Sequence, residues 1–305
     1  MSIFFCCCTR TESNKKKVIP VIPNNNSKRR KSLIGFGFNQ KLIENNIIGD
    51  GAYSTVYKVT INNKDYACKS VITRSVEYFH NEIKILEKIS DYTYLPKLYE
   101  SKLTKKKLYI IMDLIQGKEL FYVVKNHMLL KRINNIIFQI IQGVKHLHEN
   151  NIYHLDLKLE NIMIDNNDNI KIIDFGLSKI LSPNNNGYVK LKHTTGSLGY
   201  FPPEMVSPSL IFATNKTDIW NIGVILWMLL SGKPAFTVSP HTTYLKEIKN
   251  PITNGPISKY YGNLFNINVT DDYKFMYYDI IERTITLHYK RYTIHQLSEH
   301  QLFID

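Results

Sequence analysis

His154-Leu155-Asp156-Leu157-Lys158-Leu159-Glu160-Asn161, followed thirteen residues on by Asp174-Phe175-Gly176, is the stretch from which the rest of the chain can be read. It sets two carboxylates, an Asn and a Lys on two short loops. A hard, octahedral Mg2+ takes oxygen ligands and keeps phosphate oxygens and waters in the rest of its shell. Asp174 and Asn161 suit that task, which leaves Asp156 to accept a hydroxyl proton. Between the loops, the short runs Asn161–Ile164 and Ile170–Ile173 bracket an Asn166-Asn167 turn.

Upstream, from Lys41, the texture is β-rich. Leu42–Ile48, Ser54–Ile61 and Lys64–Val71 read as strands, separated by Gly49-Asp50-Gly51 and by Asn62-Asn63, a hairpin-type turn. Val76–Ile89 reads as a helix and Leu108–Leu114 as an unbroken apolar strand. In Gly49-Asp50-Gly51-Ala52-Tyr53-Ser54-Thr55-Val56 the glycines let backbone N–H groups approach a phosphate without a Cβ clash. Taken alone, such a turn fits an ordinary hairpin better. A strand and not a helix follows it, which excludes a Rossmann site. In Tyr66-Ala67-Cys68-Lys69 an ammonium sits inside an apolar run, which is costly unless it is paired. A nucleotide phosphate or the Glu82 carboxylate would satisfy it. For Lys69 on its own, an edge-strand lysine facing water is the simpler reading.

Downstream of Gly117 the pattern turns helical. Ile133, Ile136, Ile137, Ile140, Ile141, Val144 and Leu147 recur at three-and-four spacing and make one apolar stripe. Asp218–Leu230 is apolar nearly all round, so it predicts a helix buried at the centre of the second lobe.

The 305 residues are 44% apolar and 21% charged, which predicts a folded core. The longest apolar stretch, Ile219–Leu230, is too short and too interrupted for a membrane span, and no secretory signal is read at the N-terminus. Four cysteines, three of them consecutive (Cys6, Cys7, Cys8) and one at Cys68, fit a reducing, cytoplasmic setting. Of the net charge of +13, residues 1–40 hold +7 and the other 265 residues only +6. The body is therefore not read as a nucleic-acid binder. Residues 1–40, with Pro20, Pro23, Asn24–Asn26 and no helical period, read as a disordered basic arm.

Gly49/Gly51/Val56, Lys69, Glu82, His154/Asp156/Lys158/Asn161, Asp174/Phe175/Gly176 and Pro203/Glu204 follow one another in the order and spacing of the protein-kinase signature set. The chain resembles a eukaryotic-type protein kinase, collinear from Lys41 to Phe303. The resemblance implies an α+β, bilobed fold. A small antiparallel sheet lobe with one main helix (41–114) would join a larger helical lobe (118–303) through a hinge at 115–117. Asp218, Trp220 and Gly223 resemble the family's central helix, and Arg291 its partner for Glu204.

The resemblance also implies roles for residues. Gly49, Asp50, Gly51, Ala52, Tyr53, Ser54, Thr55 and Val56 would cover the phosphates of ATP. Lys69, fixed by Glu82, would hold the α- and β-phosphates. Asn161 and Asp174 would hold Mg2+, Asp156 would act as base, and Lys158 would neutralise the moving phosphoryl group. Val56 and Ala67 would roof the adenine and Met163 would floor it. Met112 would be the gatekeeper, Asp113–Ile115 would supply backbone hydrogen bonds, and Glu119 would meet the ribose. Leu86, Leu98, Phe175 and His154 would stack from lobe to lobe on Asp218. Lys158 and Gly196-Ser197 resemble the Ser/Thr members, so the expected substrates are proteins bearing Ser or Thr. Glu119 and Glu160 favour basic residues near the acceptor. A pseudokinase scaffold that binds nucleotide without turnover is the competing expectation, and the intact Lys69, Asp156, Asn161 and Asp174 argue against it.

The sequence also departs from the pattern. Leu155 stands where an Arg usually precedes the catalytic Asp and grips a phosphate on the activation segment. Leu177–Pro203 contains no acid and several bases. Ser54, Leu159 and Pro202 replace common family residues without touching a catalytic group. In the arm, Cys6-Cys7-Cys8 followed by basic residues resembles a two-signal membrane anchor.

Overall fold

Asn62 and Asn63 both take left-handed backbone (φ 52° and 61°), a conformation that Asn tolerates and that matches the twist of a two-residue hairpin. That turn joins the strands that begin the described fold. The computed structural model describes residues 46–50, 54–72, 76–104, 107–124, 128–181, 187–191, 193–207, 211–236, 248, 264 and 270–304. Residues 37–305 form one compact unit, and the described residues all belong to it. The basic arm, with its Cys cluster, and Gly51, Ala52 and Tyr53 lie outside the described residues.

Strands β1 (Ile47–Asp50), β2 (Ser54–Ile61), β3 (Lys64–Ile72), β4 (Leu98–Leu103) and β5 (Lys107–Asp113) form a wholly antiparallel sheet in the order β1-β2-β3-β5-β4. Helix α1 (Val76–Lys88) packs Ile83, Ile85 and Leu86 into the core beneath this sheet. Residues 114–116 connect to strand β6 (Gly117–Glu119). Gly117, assigned to the hinge from sequence, already pairs with Asp165 in the second lobe.

The second lobe is built on α2 (Leu130–Glu149), whose expected stripe from Ile133 to Leu147 is fully buried. Then come the short strands β7 (Ile152–Tyr153), β8 (Ile162–Asp165), β9 (Ile170–Ile172), β10 (Lys179–Ile180), β11 (Tyr188–Lys190) and β12 (Phe212–Thr214). They form the sheets β6-β8-β9, β10-β7 and β11-β12. Helix α3 (Asn215–Ser231) is buried on nearly every face, α4 (Asp271–Thr284) packs against it, and the short α5 (Ile294–Ser298) packs on α2. No helix among the described residues is long and apolar enough to cross a membrane.

Most element ends differ from the sequence reading by a residue or so, and two differ for a visible reason. Gly49 and Asp50 are not a separator between strands but the end of β1, paired with Val56 and Thr55. An irregularity between Ile47 and Gly49 carries the strand past the glycine, and Thr55 Oγ1 donates to Asp50 Oδ1 at 3.0 Å. Helix α3 starts at Asn215, three residues earlier than expected. Thr214 caps it in a reciprocal box with Thr217, a signal that the apolar count could not register.

Helix α3 lies tight against α4 at Gly223. A Cβ there would lie 2.2 Å from Thr284 Oγ1 and 2.7 Å from Thr284 Cβ. Interior overpacking costs about 1–3 kcal/mol and occasionally more. Gly223→Ala is therefore expected to lower the midpoint of thermal unfolding by several degrees; an unchanged midpoint would show that the helices can separate freely.

Candidate active site

Lys69 lies on β3, the middle strand of the sheet, opposite Val56 on one side and Ile110 on the other. It is therefore not an edge-strand lysine. Its Nζ donates to Glu82 Oε1 and Oε2 at 2.8 and 3.0 Å and to Asp174 Oδ1 at 3.0 Å. Burial alone would depress the ammonium's pKa, but the Glu82 and Asp174 carboxylates outweigh it and hold Lys69 above its ordinary value. Burial pushes Glu82 up, against the pull of Lys69. The Lys69 charge holds Asp174 below the usual carboxylate value. The Asp174 side chain is 49% exposed, so this vertex of the triad opens to solvent.

The loop that starts at His154 hangs from a single buried group. Asp218, in the first turn of α3, accepts from His154 N at 2.9 Å, from Leu155 N at 2.8 Å and from His148 Nε2 at 2.9 Å. Leu155 has left-handed backbone (φ 65°), which is uncommon for a residue of its size, and its side chain is buried. This turn presents Asp156. Its Oδ1 accepts from Ser197 Oγ at 3.0 Å, and its Oδ2 lies 3.0 Å from Lys158 Nζ and 3.2 Å from Asn161 Nδ2. Lys158 Nζ also donates to Ser197 Oγ at 2.6 Å. Gly196 (φ 118°) lets the segment approach, since a Cβ there would meet Phe201 at 3.0 Å and Asp156 Oδ1 at 3.2 Å.

Fully buried His154 has its ring 5.3 Å from that of Phe175, and its Nε2 is bonded to Ile173 O. Leu86 and Phe175 are buried, and Leu98 packs against the same core. A second buried ion pair braces the far side. Arg291 donates to Glu204 Oε1 and Oε2 at 2.6 and 2.9 Å, with its guanidinium 4.9 Å from the Trp220 ring.

A family model for the protein kinase domain matches residues 42–303. The chain belongs to the protein kinase family. It is 28% identical over 283 residues to the serine/threonine-protein kinase PKH2 of Saccharomyces cerevisiae, covering 85% of this chain and 24% of that protein. It is 36% identical over 203 residues to myosin light chain kinase family member 4 of Homo sapiens, covering 63% of this chain and 50% of that protein. A probable myosin light chain kinase of Dictyostelium discoideum is 31% identical over 266 residues, 85% of this chain and 80% of that protein. The chain thus spans about a quarter and a half of the first two relatives.

Strand pairing sets several of the other sequence-predicted residues side by side. Ala67 pairs with Met112 across β3 and β5, and Glu119 pairs with Met163 across β6 and β8. Ile115 lies in the connection between the lobes. Gly49, Asp50, Ser54, Thr55 and Val56 lie along the β1–β2 pair, while Gly51, Ala52 and Tyr53 fall outside the described residues. Asp113 is engaged within the protein. Its N–H bonds Lys97 O, and its carboxylate accepts from Lys97 N and Tyr99 OH at 3.0 Å each, 3.5 Å from Lys171 Nζ.

The donor set fits a hard divalent cation. Asn161 commits its Nδ2 to Asp156, which orients the amide so that Oδ1 is the donor left to a metal, and Asp174 adds a half-exposed carboxylate.

Other groups escaped the sequence reading. His148 carries no sequence signal of its own, yet its bond to Asp218 is part of the loop's support. Tyr200 OH lies 3.4 Å from Glu160 Oε2 and from Leu159 N. Asn81 Nδ2 donates to Ser178 O at 2.7 Å and ties α1 to the segment after Gly176. Each depends on a contact between residues far apart in sequence.

Because Asp174 is depressed below its ordinary 3.8, its ionisation favours the folded state at pH values above 3.8. That contribution is lost as pH falls through the lower folded value. NMR titration of the Asp174 carboxyl is expected to show the depressed value in the wild type and a higher one in Lys69→Met. The same midpoint in both would remove Lys69 as the cause.

Proposed function

We propose that the chain is a serine/threonine protein kinase that transfers the γ-phosphoryl group of ATP to Ser or Thr hydroxyls of proteins. One observation carries the reading: Lys69 bonds Glu82 and Asp174, Asp156 bonds Asn161 and lies beside Lys158, and the two sets are joined where Ile173 N donates to Asn161 O at 2.9 Å. Residues 41–303 would be the catalytic domain, with the hinge at 115–117. Phosphoryl transfer runs through a loose transition state, so positioning and charge neutralisation dominate. Mg2+, bound by Asp174 and Asn161, would neutralise phosphate charge.

The chain's own groups supply the rest. Lys69, held by Glu82, binds the α- and β-phosphates. The residues from Gly49 to Val56 cover them. Asp156, held by Ser197 and Asn161, orients the acceptor hydroxyl and takes its proton. Lys158, 3.0 Å from Asp156, places a cation beside the moving phosphoryl group. Adenine lies between Val56 and Ala67 above and Met163 below, behind Met112, with Ile115 in the hinge and Glu119 at the ribose.

Burial, and then the charge of Glu160, raise the pKa of Glu119. The negative charge of Glu160 beside Glu119, only partly offset by Lys158, supports a preference for substrates with Arg or Lys near the acceptor. Leu155 removes the usual phosphate-gripping Arg from this site.

Incubation with labelled ATP, Mg2+ and a peptide array tests the reading. Transfer to Ser/Thr peptides enriched in Arg or Lys is expected. Loss of the positioned base in Asp156→Asn should cost ~10²–10⁴ in rate, and Lys69→Met and Asp174→Ala should also lose transfer. A wild type that binds ATP without transfer would favour a scaffold, and an array without basic enrichment would reject the acidic subsite.

For the arm we propose that acyl chains on Cys6, Cys7 and Cys8, with the adjacent basic run, hold a cytoplasmic enzyme to anionic membrane. A triple Cys→Ser variant is expected to leave the membrane fraction; one that fractionates like the wild type rejects the anchor.

A further inference from the structure

The segment between Asp174 and Glu204 must hold Ser197 against Asp156 and Lys158, and this chain lacks the usual means. Leu155, buried and apolar, stands where a phosphate-gripping cation is expected, and Leu177–Pro203 contains no Asp or Glu that could replace a phosphate. Yet the segment is fastened at successive points by uncharged bonds. At its start β10 pairs with β7, and Leu181 N donates to Asn151 O at 2.9 Å. In its middle β11 pairs antiparallel with β12 in the register Tyr188↔Thr214, Val189↔Ala213 and Lys190↔Phe212. Leu191 N extends the ladder to Ile211 O at 2.9 Å. Thr194 Oγ1 then donates to Met205 O at 2.7 Å, three residues before Ser197.

Strand β12 is a firm anchor. Ala213 is fully buried, and Thr214 caps α3, accepting from Lys216 N at 3.0 Å while its own N–H bonds Thr217 Oγ1 at 3.1 Å. One turn further along the same helix, Asp218 holds the backbone of His154 and Leu155. The first turn of α3 therefore carries both halves of the acceptor site. Asp218 fixes the loop of Asp156, and the cap residue ends the strand on which the segment of Ser197 is laid.

We infer that the β11–β12 ladder is a built-in latch that keeps the activation segment in its substrate-binding arrangement without phosphorylation, with Val189–Leu191 as positioning residues. The inference rests on the kinase reading above and concerns how its site is held. Each made backbone hydrogen bond shifts such an equilibrium by roughly 2- to 10-fold, so a short ladder with the Thr194 bond is enough to bias a two-state segment by an order of magnitude or more.

Leu191→Pro deletes the N–H that Ile211 O accepts, while Leu191→Val keeps it. The latch predicts that Leu191→Pro retains ATP affinity and thermal midpoint but loses kcat/KM for a peptide by up to about 10²-fold, the cost of a small misplacement at the reacting groups. Leu191→Val should retain activity, and phosphatase-treated wild type should match untreated enzyme. Full activity of Leu191→Pro, or collapse of the wild type on phosphatase treatment, overturns the latch. Should Leu191→Pro unfold, hydrogen exchange of the wild type decides. A protected Leu191 amide supports the ladder, and exchange at the rate of free peptide overturns it. A wild type with no phosphotransfer would sink the kinase reading instead, and the exchange result would still judge the ladder.

Discussion

The Asp218 carboxylate is the group on which the catalytic architecture depends. It is completely buried, and an ionised group in that position is tolerable only with strong donors around it. Two of its donors are consecutive backbone N–H groups, of His154 and Leu155, and the third is His148. Fixing two successive amides fixes the direction of the chain between them. Leu155 takes its left-handed conformation there, at a cost on the order of 1–3 kcal/mol that the surrounding bonds offset. The reward for that strain is the orientation of the next residue, Asp156.

The two ion-pair systems then divide the work by location. Lys69, Glu82 and Asp174 join three elements, β3, α1 and the loop after β9, so the triad exists only when the lobes are in register. One vertex is exposed, which lets an incoming ligand compete for it. Arg291 and Glu204, by contrast, are both buried, with side chains 0% and 5% exposed. Removing either partner of such a pair leaves an uncompensated charge and typically costs several kcal/mol. Arg291 also donates to Lys216 O at 2.9 Å, so this fixed pair braces the same end of α3 that carries Asp218. Adaptable charge sits in the cleft and rigid charge sits beneath it.

Much of this was legible from residue order alone. The helix stripe of α2 and the all-round burial of α3 are periodic signals, and the structure follows them residue by residue. The Lys, Asp and Asn of the cleft were legible because hard-cation and phosphate chemistry restricts the side chains that will serve. What could not be read was direction. Asp113 was read only for its backbone, and the turn of its carboxylate to Lys97, Tyr99 and Lys171 depends on donors from different places in the chain, one of them on β4. β4 itself, Leu-Tyr-Glu-Ser-Lys-Leu, is half exposed and shows no apolar alternation, so nothing in its composition distinguished it from a loop. His148 was hidden for the opposite reason. A histidine in the last turn of a helix suits the helix dipole, which masks its bond to a carboxylate seventy residues away.

The manner of fastening the activation segment decides what can control it. A phosphate clasp is an added charge, so it can be made and removed, and the segment then reports the state of a signal. A backbone ladder is complete as soon as the chain folds. In this chain the ladder ends on Thr214, the cap of a helix buried on almost every face, so releasing it would disturb the start of the second lobe's central helix. The bases of the segment, Lys179, Lys190 and Lys192, have no acid among them to oppose, and Leu155 offers a phosphate nothing to grip. A phosphate there would find Lys179 as a partial substitute for the cation that Leu155 lacks. The exposed Asp174 vertex of the Lys69–Glu82–Asp174 triad, by contrast, is open to solvent and can be reached by a ligand after the chain has folded.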